Sequence, residues 1–402
     1  MKRKLGALFR VLVSVGILAY LFNSIFQNEL KEVARNVLLD RDSAESELAR
    51  RFEITIEQIQ LIKAKVGLVP DPDDPATLEV SLKKLSYEER RSLIWRVGPR
   101  SVWRVFQRMH PQWFGMGVLS MGVVCLLGVI RWQMILRVQG LDLRFARVSS
   151  IFFVGLFFNA FLLGSTGGDV IKAWYVAHET HHKKAEAIAT VVVDRLIGLL
   201  ALFIIALIMM TLFWHRVFDD PKLRLWAVFT LLVVLTTVAG TALGFWKGFA
   251  DKLPRLRRWL RKLPRYETLK RMVDAVRVYA SHPAVLLRTT LVTIGIHFFS
   301  MLCIVFVGRG LRIVTEHGIV DYFLYLPIIN SITAVPISIS GFGVREGMYA
   351  VMFGEVGVPR AQAVAMSLIG YLASLFWSLV GSLFYLTHRK ELPPADVIDR
   401  ED

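Results

Sequence analysis

The sequence predicts an all-α polytopic membrane protein with about six full transmembrane helices and two opposed re-entrant hairpins in an inverted repeat. The 402-residue chain is 54% hydrophobic and has a mean hydropathy of +0.48, which is too apolar for an ordinary soluble protein. Six apolar stretches approach the roughly 20 residues that a helix needs to cross a bilayer. Two shorter apolar segments end in charged, glycine-rich turns at matching places in the two halves, a pattern that indicates a transporter-like central site.

Charges between the apolar stretches predict the direction of each span. The predicted spans are residues 5–26, 113–130, 187–214, 225–246, 286–307 and 362–387. Lys2, Arg3 and Lys4 precede the first span, and Arg389 and Lys390 follow the last one. Because cytoplasmic loops carry the excess of Lys and Arg, we expect a plasma (inner) membrane protein with both termini in the cytoplasm. For the same reason the net charge of +16 indicates cytoplasmic loops, and no nucleic-acid partner is expected.

Composition divides the chain into four parts. Residues 1–27 are predicted to form an N-terminal transmembrane anchor, 28–110 a small helical extramembrane insertion, 111–388 the main transmembrane domain and 389–402 a polar tail. Within the insertion, residues 86–110 interleave aromatic and arginine side chains, which is typical of an amphipathic helix at the membrane surface. We expect the insertion on the exoplasmic side, where it would be available to a protein partner.

The two short apolar segments are predicted to enter the membrane and return to the side they came from. Residues 247–288 hold 12 Lys and Arg against three acids, so this stretch is expected in the cytoplasm. Counting spans from it leaves residues 148–164 with both ends in the cytoplasm and residues 322–358 with both ends outside. The repeat halves are then about 113–214 and 286–387, and each reads span, hairpin, span.

Small and ionisable residues at the two glycine-rich turns are the candidate lipid-binding residues. They are Asn159, Ser165, Gly167, Gly168, Asp169 and Lys172 at the first turn, and Ser338, Gly341, Gly343, Arg345 and Glu346 at the second. Asp194 and Arg195 join them, since ionisable residues inside an apolar span are functional candidates. Backbone N–H groups at such turns favour anions, and arginine suits bidentate recognition of phosphate. Because opposite charges offset each other's cost in a membrane, we expect Asp169 and Arg345 to lie close together near the midplane.

Other chemistry-bearing residues do not form a recognisable site. Cys125 and Cys303 lie in apolar helices and give neither a disulfide framework nor metal spacing. His178, His181 and His182 have the residue type of metal ligands without zinc spacing, so no metal site and no cofactor are expected. The sequence contains no P-loop and no dinucleotide fingerprint, and therefore no sign of ATP-driven machinery.

Three ordered motifs carry a family resemblance. They are FFNAFLLGSTGGDVIKA at 157–173, VDRLIG at 193–198 and PISISGFGVREG at 336–347. These motifs resemble those of the lysylphosphatidylglycerol synthase transmembrane-region family. The resemblance covers roughly residues 113–388 and implies a flippase-like membrane domain, related to the part of lysylphosphatidylglycerol synthetases that translocates lipid. The cytosolic aminoacyltransferase domain of the full-length enzymes is not expected, because the chain ends at residue 402, and the 28–110 insertion falls outside the family pattern.

The preferred functional prediction is a flippase-like protein that translocates or binds an anionic or glycosylated lipid. Polar, glycine-lined turns between two halves favour it, and its partners would be an anionic phospholipid or a polyprenyl-linked glycan. One alternative is a membrane-embedded transferase acting on lipid-linked substrates, which would need a soluble donor and a carboxylate base. Another is a non-catalytic membrane scaffold. Of the three, only the transferase is an enzyme, and it is not the preferred one.

Overall fold

The computed structural model shows a helical chain. The residues that it describes are 23, 26–27, 30–31, 33–40, 43–52, 54–66, 82–161, 167–180, 183–245, 266–335 and 341–388. Within these ranges there is no strand, which confirms the all-α prediction. Most of the predicted first span, the tail 389–402 and part of the basic stretch 247–288 lie outside the described residues.

The insertion folds into helices that begin with side-chain caps. Its labelled helices are α1 (Glu45–Phe52), α2 (Ile56–Val66) and α3 (Tyr87–Gln107). Before α2, the Gln58 N–H donates to Thr55 Oγ1 at 3.3 Å, and the Thr55 N–H donates to Gln58 Oε1 at 3.2 Å. Ser86 and Glu89 make the same reciprocal pair before α3, at 3.3 and 2.8 Å. Both are capping boxes, which satisfy N–H groups that a helix start leaves unpaired.

The remaining described helices form the transmembrane domain. The first group is α4 (Pro111–Val138), α5 (Phe145–Phe161), α6 (Gly167–Glu179), α7 (Lys184–Leu212), α8 (Trp214–Asp219) and α9 (Pro221–Phe245). The second group is α10 (Tyr266–Val278), α11 (Pro283–Gly310), α12 (Ile319–Thr333), α13 (Val344–Met352) and α14 (Arg360–His388). A proline opens both α4 and α11, at the position where its missing N–H is least costly.

Five of the described helices are long and apolar enough to cross a bilayer. They are α4, α7, the Leu223–Gly240 part of α9, α11 and α14. Each coincides with a span predicted from the sequence, which confirms a polytopic membrane protein. The sixth predicted span, residues 5–26, lies almost wholly outside the described residues and stays a prediction.

Two pairs of shorter helices fold back as hairpins. Helices α5 and α12 have 17 and 15 residues, and their partners α6 and α13 have 13 and 9. Even the longest is about 26 Å, less than a hydrocarbon core of about 30 Å. In the first hairpin, Arg147 pairs with Glu179 at the outer ends, and the Gly168 N–H donates to Asn159 Oδ1 at 2.9 Å near the tip. The outer ends therefore lie together, while re-entry into a membrane stays a prediction.

The helix contacts repeat between the two halves. Helices α4 and α11 both have 28 residues, and α7 and α14 both have 29. The first helix of each hairpin packs on the last span of the other half, α5 on α14 and α12 on α7. The second helix of each hairpin packs on the last span of its own half, α6 on α7 and α13 on α14. Helix α4 likewise packs on α14 as α11 packs on α7. Exchanging the halves leaves this pattern unchanged, which is what a two-fold internal repeat predicts.

Helices α4 and α11 run antiparallel and so define two opposite faces. The His110 N–H, just before α4, donates to the Gly310 carbonyl at 3.2 Å, at the end of α11. At the other end of this pair, the Tyr279 hydroxyl donates to the Ile135 carbonyl at 2.9 Å. We call the face with His110 and Gly310 face A, and the face with Ile135 and Tyr279 face B. The charge pattern predicts that face B is cytoplasmic.

The insertion packs on the face A side of the second hairpin. Its core contains fully buried apolar side chains, among them Leu48, Ile59, Ile62 and Leu93. The same apolar cluster continues into Ala350 at the end of α13 and into Ala361 and Val364 at the start of α14. Burial of shared apolar surface therefore holds the insertion against the transmembrane domain. Placement of α3 at a membrane surface stays a prediction.

Candidate functional site

The first cluster of charges lies at the tip of the α5–α6 hairpin. Asp169 occupies the first turn of α6, where the helix dipole favours a carboxylate. Its carboxylate pairs with Arg195 of α7 and, at 3.4 Å, with Lys172 one turn later. The side chains of Asp169 and Lys172 are 11% and 7% exposed, whereas that of Arg195 is 44% exposed. The buried Asp169 carboxylate thus holds two cations, and the side chain of one of them, Arg195, reaches the surface.

A close glycine contact joins the two hairpin helices at this cluster. A Cβ atom on Gly168 would lie 1.8 Å from the Gly155 carbonyl oxygen, so a larger residue would force the helices apart. Lys172 lies beside the same contact, with its ammonium 4.9 Å from the ring centroid of Trp132 and 5.2 Å from that of Phe152. These aromatic faces offset part of the cost of burying the ammonium group.

A second ion pair lies inside the spans. Arg131 Nε donates to Asp194 Oδ1 at 2.8 Å, and Arg131 Nη1 donates to Thr293 Oγ1 at 3.2 Å. A predicted span that ends at residue 130 would leave Arg131 in the following loop, and that prediction is wrong. Helix α4 continues to Val138, because a buried carboxylate and a hydroxyl from two other spans neutralise and hydrogen-bond the guanidinium. A basic residue at the edge of an apolar stretch gives no local signal of such partners.

The neighbours Asp194 and Arg195 have partners on different helices. Asp194 faces α4, and Arg195 faces α6. Among the described residues, the two groups together bring three cations against two carboxylates. His297 of α11 adds a polar contact beside them, because its Nε2 lies 3.0 Å from the Gly198 carbonyl.

The second hairpin has its own buried charges at the start of α13. Glu346 is fully buried and accepts hydrogen bonds from Arg345 Nη2 at 2.7 Å and Ser367 Oγ at 3.1 Å. It also accepts from the Gly343 N–H at 2.7 Å, and Gly343 has a φ of 84°, which favours glycine. The Arg345 guanidinium lies 4.9 Å from the ring centroid of Tyr371. These contacts fix the start of α13 against α14.

The two hairpin tips are neutralised separately. Asp169 and Arg345 do not pair with each other, since the cations of Asp169 come from α6 and α7 and the carboxylate of Arg345 is the next residue. Their closeness near the midplane stays a prediction. Each acid lies in the first turn after its own tip, which gives Asp169 and Glu346 equivalent places in the two halves. Partners within the same half satisfy each charge, from α6 and α7 for Asp169 and from α13 for Arg345.

The other candidate residues have more local positions. Gly167 begins α6, and Gly341 precedes α13 with a φ of 76°. Ser165 and Ser338 lie outside the described residues. His178 stacks on Trp174 with ring centroids 5.3 Å apart. In the described part of the chain, no three His, Cys, Asp or Glu side chains gather as a metal site.

The arrangement can hold a fixed cation against an anion. It offers an arginine oriented by a buried carboxylate and, among the described residues, an excess of positive charge. The described clusters contain carboxylates only in ion pairs with arginine or lysine. These features suit electrostatic recognition of an anion.

Comparison with known proteins agrees with the motifs. The family model for the lysylphosphatidylglycerol synthase TM region matches residues 91–381. A UPF0104 membrane protein of Pyrococcus horikoshii is 22% identical over 325 residues, which cover 75% of this chain and 94% of the relative. A UPF0104 membrane protein of Methanothermobacter thermautotrophicus is 22% identical over 304 residues, which cover 72% of this chain and 88% of the relative. No solved structure matches the chain.

The matched region includes both hairpins and the spans that flank them. It begins at residue 91, inside α3, so the last part of the insertion also falls within the family pattern, contrary to expectation. The match covers well over half of the chain. The protein therefore belongs to the lysylphosphatidylglycerol synthase transmembrane-region family.

Proposed function

We propose that this protein binds the phosphate of an anionic or glycosylated lipid at the first hairpin and moves that lipid between the leaflets of the plasma membrane. The observation that carries the proposal is the cluster of Asp169, Lys172 and Arg195, in which Arg195 is 44% exposed at its side chain. Asp169 holds Nε of Arg195 and so sets the plane of the guanidinium group. An arginine of fixed orientation suits bidentate contact with phosphate oxygens.

The charge balance of the region supports an anionic ligand. Arg131, Lys172 and Arg195 together carry one positive charge more than Asp169 and Asp194, counted over the described residues. A charge near the bilayer centre costs at least about 2.5 kcal/mol on insertion scales. A phosphate that reaches this cluster would neutralise part of the excess, and the attraction would gain strength from the burial of Asp169 and Lys172.

The hairpins supply the proposed path. Each has helices too short to span, and in our proposal they enter from opposite faces as re-entrant hairpins, with both chain termini in the cytoplasm. Their polar tips would then present charged groups at membrane depth, where lipid tails can stay in the bilayer while the head group passes between the halves. Contacts that repeat between the halves support such alternating use of two equivalent hairpins.

Reconstitution in liposomes tests the proposal. Full-length protein is placed in vesicles with fluorescent phosphatidylglycerol or fluorescent phosphatidylcholine, and dithionite quenching reports transfer between leaflets. We expect the unmodified protein to transfer phosphatidylglycerol faster than phosphatidylcholine. Arg195→Gln should transfer phosphatidylglycerol at least about tenfold more slowly than the unmodified protein, since a charge-assisted hydrogen bond is lost. Arg195→Lys keeps the charge without the bidentate fork and should fall between them. The control Arg288→Gln changes an exposed arginine of α11 and should transfer normally.

The outcomes separate the alternatives. Equal transfer by the unmodified protein and Arg195→Gln would refute a role for the first hairpin in head-group binding. A new lipid product that appears only when a soluble sugar donor is added would support the transferase instead. Transfer of a polyprenyl-phosphate sugar in place of phosphatidylglycerol would keep the mechanism and change the substrate.

A further inference from the structure

A cleft of about 640 Å³ opens on face A, apart from the charge clusters of the two hairpins. Three segments line it: the turn between α3 and α4, the end of α11 and the first turn of α14. Its polar lining residues are Gln107, Arg108, His110, Arg312 and Gln362. No acidic residue is among the described residues that line it.

Arg312 has a backbone conformation that normally selects glycine. Its φ is 56°, and in the described part of the chain no other non-glycine residue has a positive φ. It stands just after α11, where the Arg312 N–H donates to the Arg309 carbonyl at 3.0 Å and the Ile313 N–H donates to the Gly308 carbonyl at 2.9 Å. This is the Schellman motif of a helix end, which usually places glycine at the left-handed position.

The equivalent helix in the first half provides the comparison. Helix α4 ends with the same pair of hydrogen bonds, from Gly140 to Arg137 at 3.0 Å and from Leu141 to Leu136 at 3.1 Å. There the left-handed residue is Gly140, with a φ of 64°. Gly140 and Arg312 each lie two residues beyond a 28-residue span. Since glycine meets the demand of this turn, the reason for arginine in the second half lies in its side chain.

The Arg312 side chain is held at the cleft by a histidine. Its Nη2 lies 2.9 Å from His110 Nε2. Because arginine only donates, this histidine nitrogen is the acceptor in the pair. Neither Arg312 nor Arg108 forms an ion pair with a carboxylate among the described residues. The cleft thus holds two arginines that are not neutralised, beside the N-terminus of α4, whose dipole also favours an anion.

Membrane topology does not account for these arginines. Basic residues are enriched in cytoplasmic loops, whereas face A is the face predicted to be exoplasmic. A strained arginine, a second arginine and two amide side chains instead converge on one opening. Strained backbone that persists at an opening is a pointer to function.

We propose that this cleft is an anion site that binds a phosphate group, carried by a lipid head group or present as free phosphate. Arg312 and Arg108 would donate to the phosphate oxygens, and Gln107 and Gln362 would complete the donor set. The insertion supplies Gln107 and Arg108 at the end of α3, so it takes part in forming the site. The site shares no residue with the first hairpin and stands independently of the transport proposal.

The test uses full-length protein in neutral detergent. Native mass spectrometry measures binding of phosphatidylglycerol and phosphatidylcholine, and calorimetry measures binding of inorganic phosphate. Arg312→Gly is the informative variant, because glycine suits the positive φ and should leave the Tm equal or higher. We expect it to weaken binding of phosphatidylglycerol, or of inorganic phosphate, about tenfold or more, as loss of a charge-assisted contact implies. Arg108→Gln should do the same, and the exposed Arg288→Gln should bind as the unmodified protein does.

The arms of the experiment identify the source of the phosphate. Loss of the preference for phosphatidylglycerol in Arg312→Gly, without competition by inorganic phosphate, indicates a lipid head group. Loss of calorimetric phosphate binding, with lipid binding unchanged, indicates free phosphate. Binding that persists in the Arg195→Gln variant separates this site from the first hairpin. The proposal is overturned if Arg312→Gly and Arg108→Gln bind both phosphatidylglycerol and inorganic phosphate normally. It is also overturned if Arg288→Gln loses as much binding affinity as they do, or if Arg312→Gly lowers the Tm.

Discussion

Arg131 and Asp194 stand 63 positions apart in the chain, yet Arg131 Nε lies 2.8 Å from Asp194 Oδ1. Their side chains are 12% and 9% exposed, and Thr293 adds a hydrogen bond from a third span. This contact joins α4 and α7 of the first half to α11 of the second. Taking both charges out of water is costly, so each depends on the other for neutralisation.

Removing one member of this pair should destabilise the protein strongly. Asp194→Asn leaves the Arg131 charge buried without a counterion, which typically costs about 3–5 kcal/mol. The double variant Arg131→Met with Asp194→Leu should regain much of that loss, because apolar replacements of a buried pair are often tolerated. Unfolding in mixed detergent, followed by circular dichroism, measures both. A double variant that is as unstable as Asp194→Asn, or less stable, would argue that the two side chains do not depend on each other.

Gly168→Ala should separate the helices of the first hairpin. The new Cβ would meet the Gly155 carbonyl oxygen at 1.8 Å, and backbone cannot move aside as a side chain can. Overpacking of this kind costs about 1–3 kcal/mol or more. Gly115→Ala is the matched control, since no atom lies within 4 Å of its Cβ position. Thermal stability in detergent should fall for Gly168→Ala alone, and equal stability of the two variants would contradict the close contact.

Glu346→Gln should destabilise the second hairpin more than Ser367→Ala does. The glutamine can still accept from the Gly343 N–H, but Arg345 loses its counterion in a buried setting. The expected loss is about 3–5 kcal/mol for Glu346→Gln and about 1 kcal/mol for Ser367→Ala, which removes one hydrogen bond. Protease protection of α13 and unfolding in mixed detergent report the difference. A larger effect of Ser367→Ala would show that the hydroxyl, not the charge, holds Arg345.

The two faces should be reachable from opposite sides of the membrane. Asp142 and Glu316 are exposed on face B and face A respectively. After Cys125 and Cys303, which are buried, are replaced by alanine, Asp142→Cys and Glu316→Cys each carry one reporter thiol. A membrane-impermeant maleimide on intact cells should label Glu316→Cys alone, and both after the membrane is permeabilised. Labelling of Asp142→Cys in intact cells would reverse the predicted topology.

Several features could be predicted from the sequence. Five of the predicted spans coincide with long apolar helices, and both short segments fold as hairpins. The candidate residues Asp169, Lys172 and Arg195 do gather in one cluster, as do Arg345 and Glu346. Spans and turns were predictable because apolar length, glycine and charge act over short stretches of chain.

The partners of the charges were not predictable in this way. Arg131 lies at the edge of an apolar run and resembled a loop residue, although Asp194 and Thr293 make its place inside the span favourable. Asp169 was expected to lie close to Arg345, and its ion-pair partners are Arg195 and Lys172. The positive φ of Arg312 could not be predicted either, because the identity of a non-glycine residue does not indicate its φ.

The sequence by itself determined that the chain is a helical membrane protein with two matching halves, since hydrophobic length and charge bias are written along the chain. Only the tertiary structure decided which charges neutralise each other. The physical reason is geometric, because successive residues of a helix point about 100° apart. Asp194 and Arg195 therefore face different helices, and the packing of α4, α6 and α7 selects a partner for each.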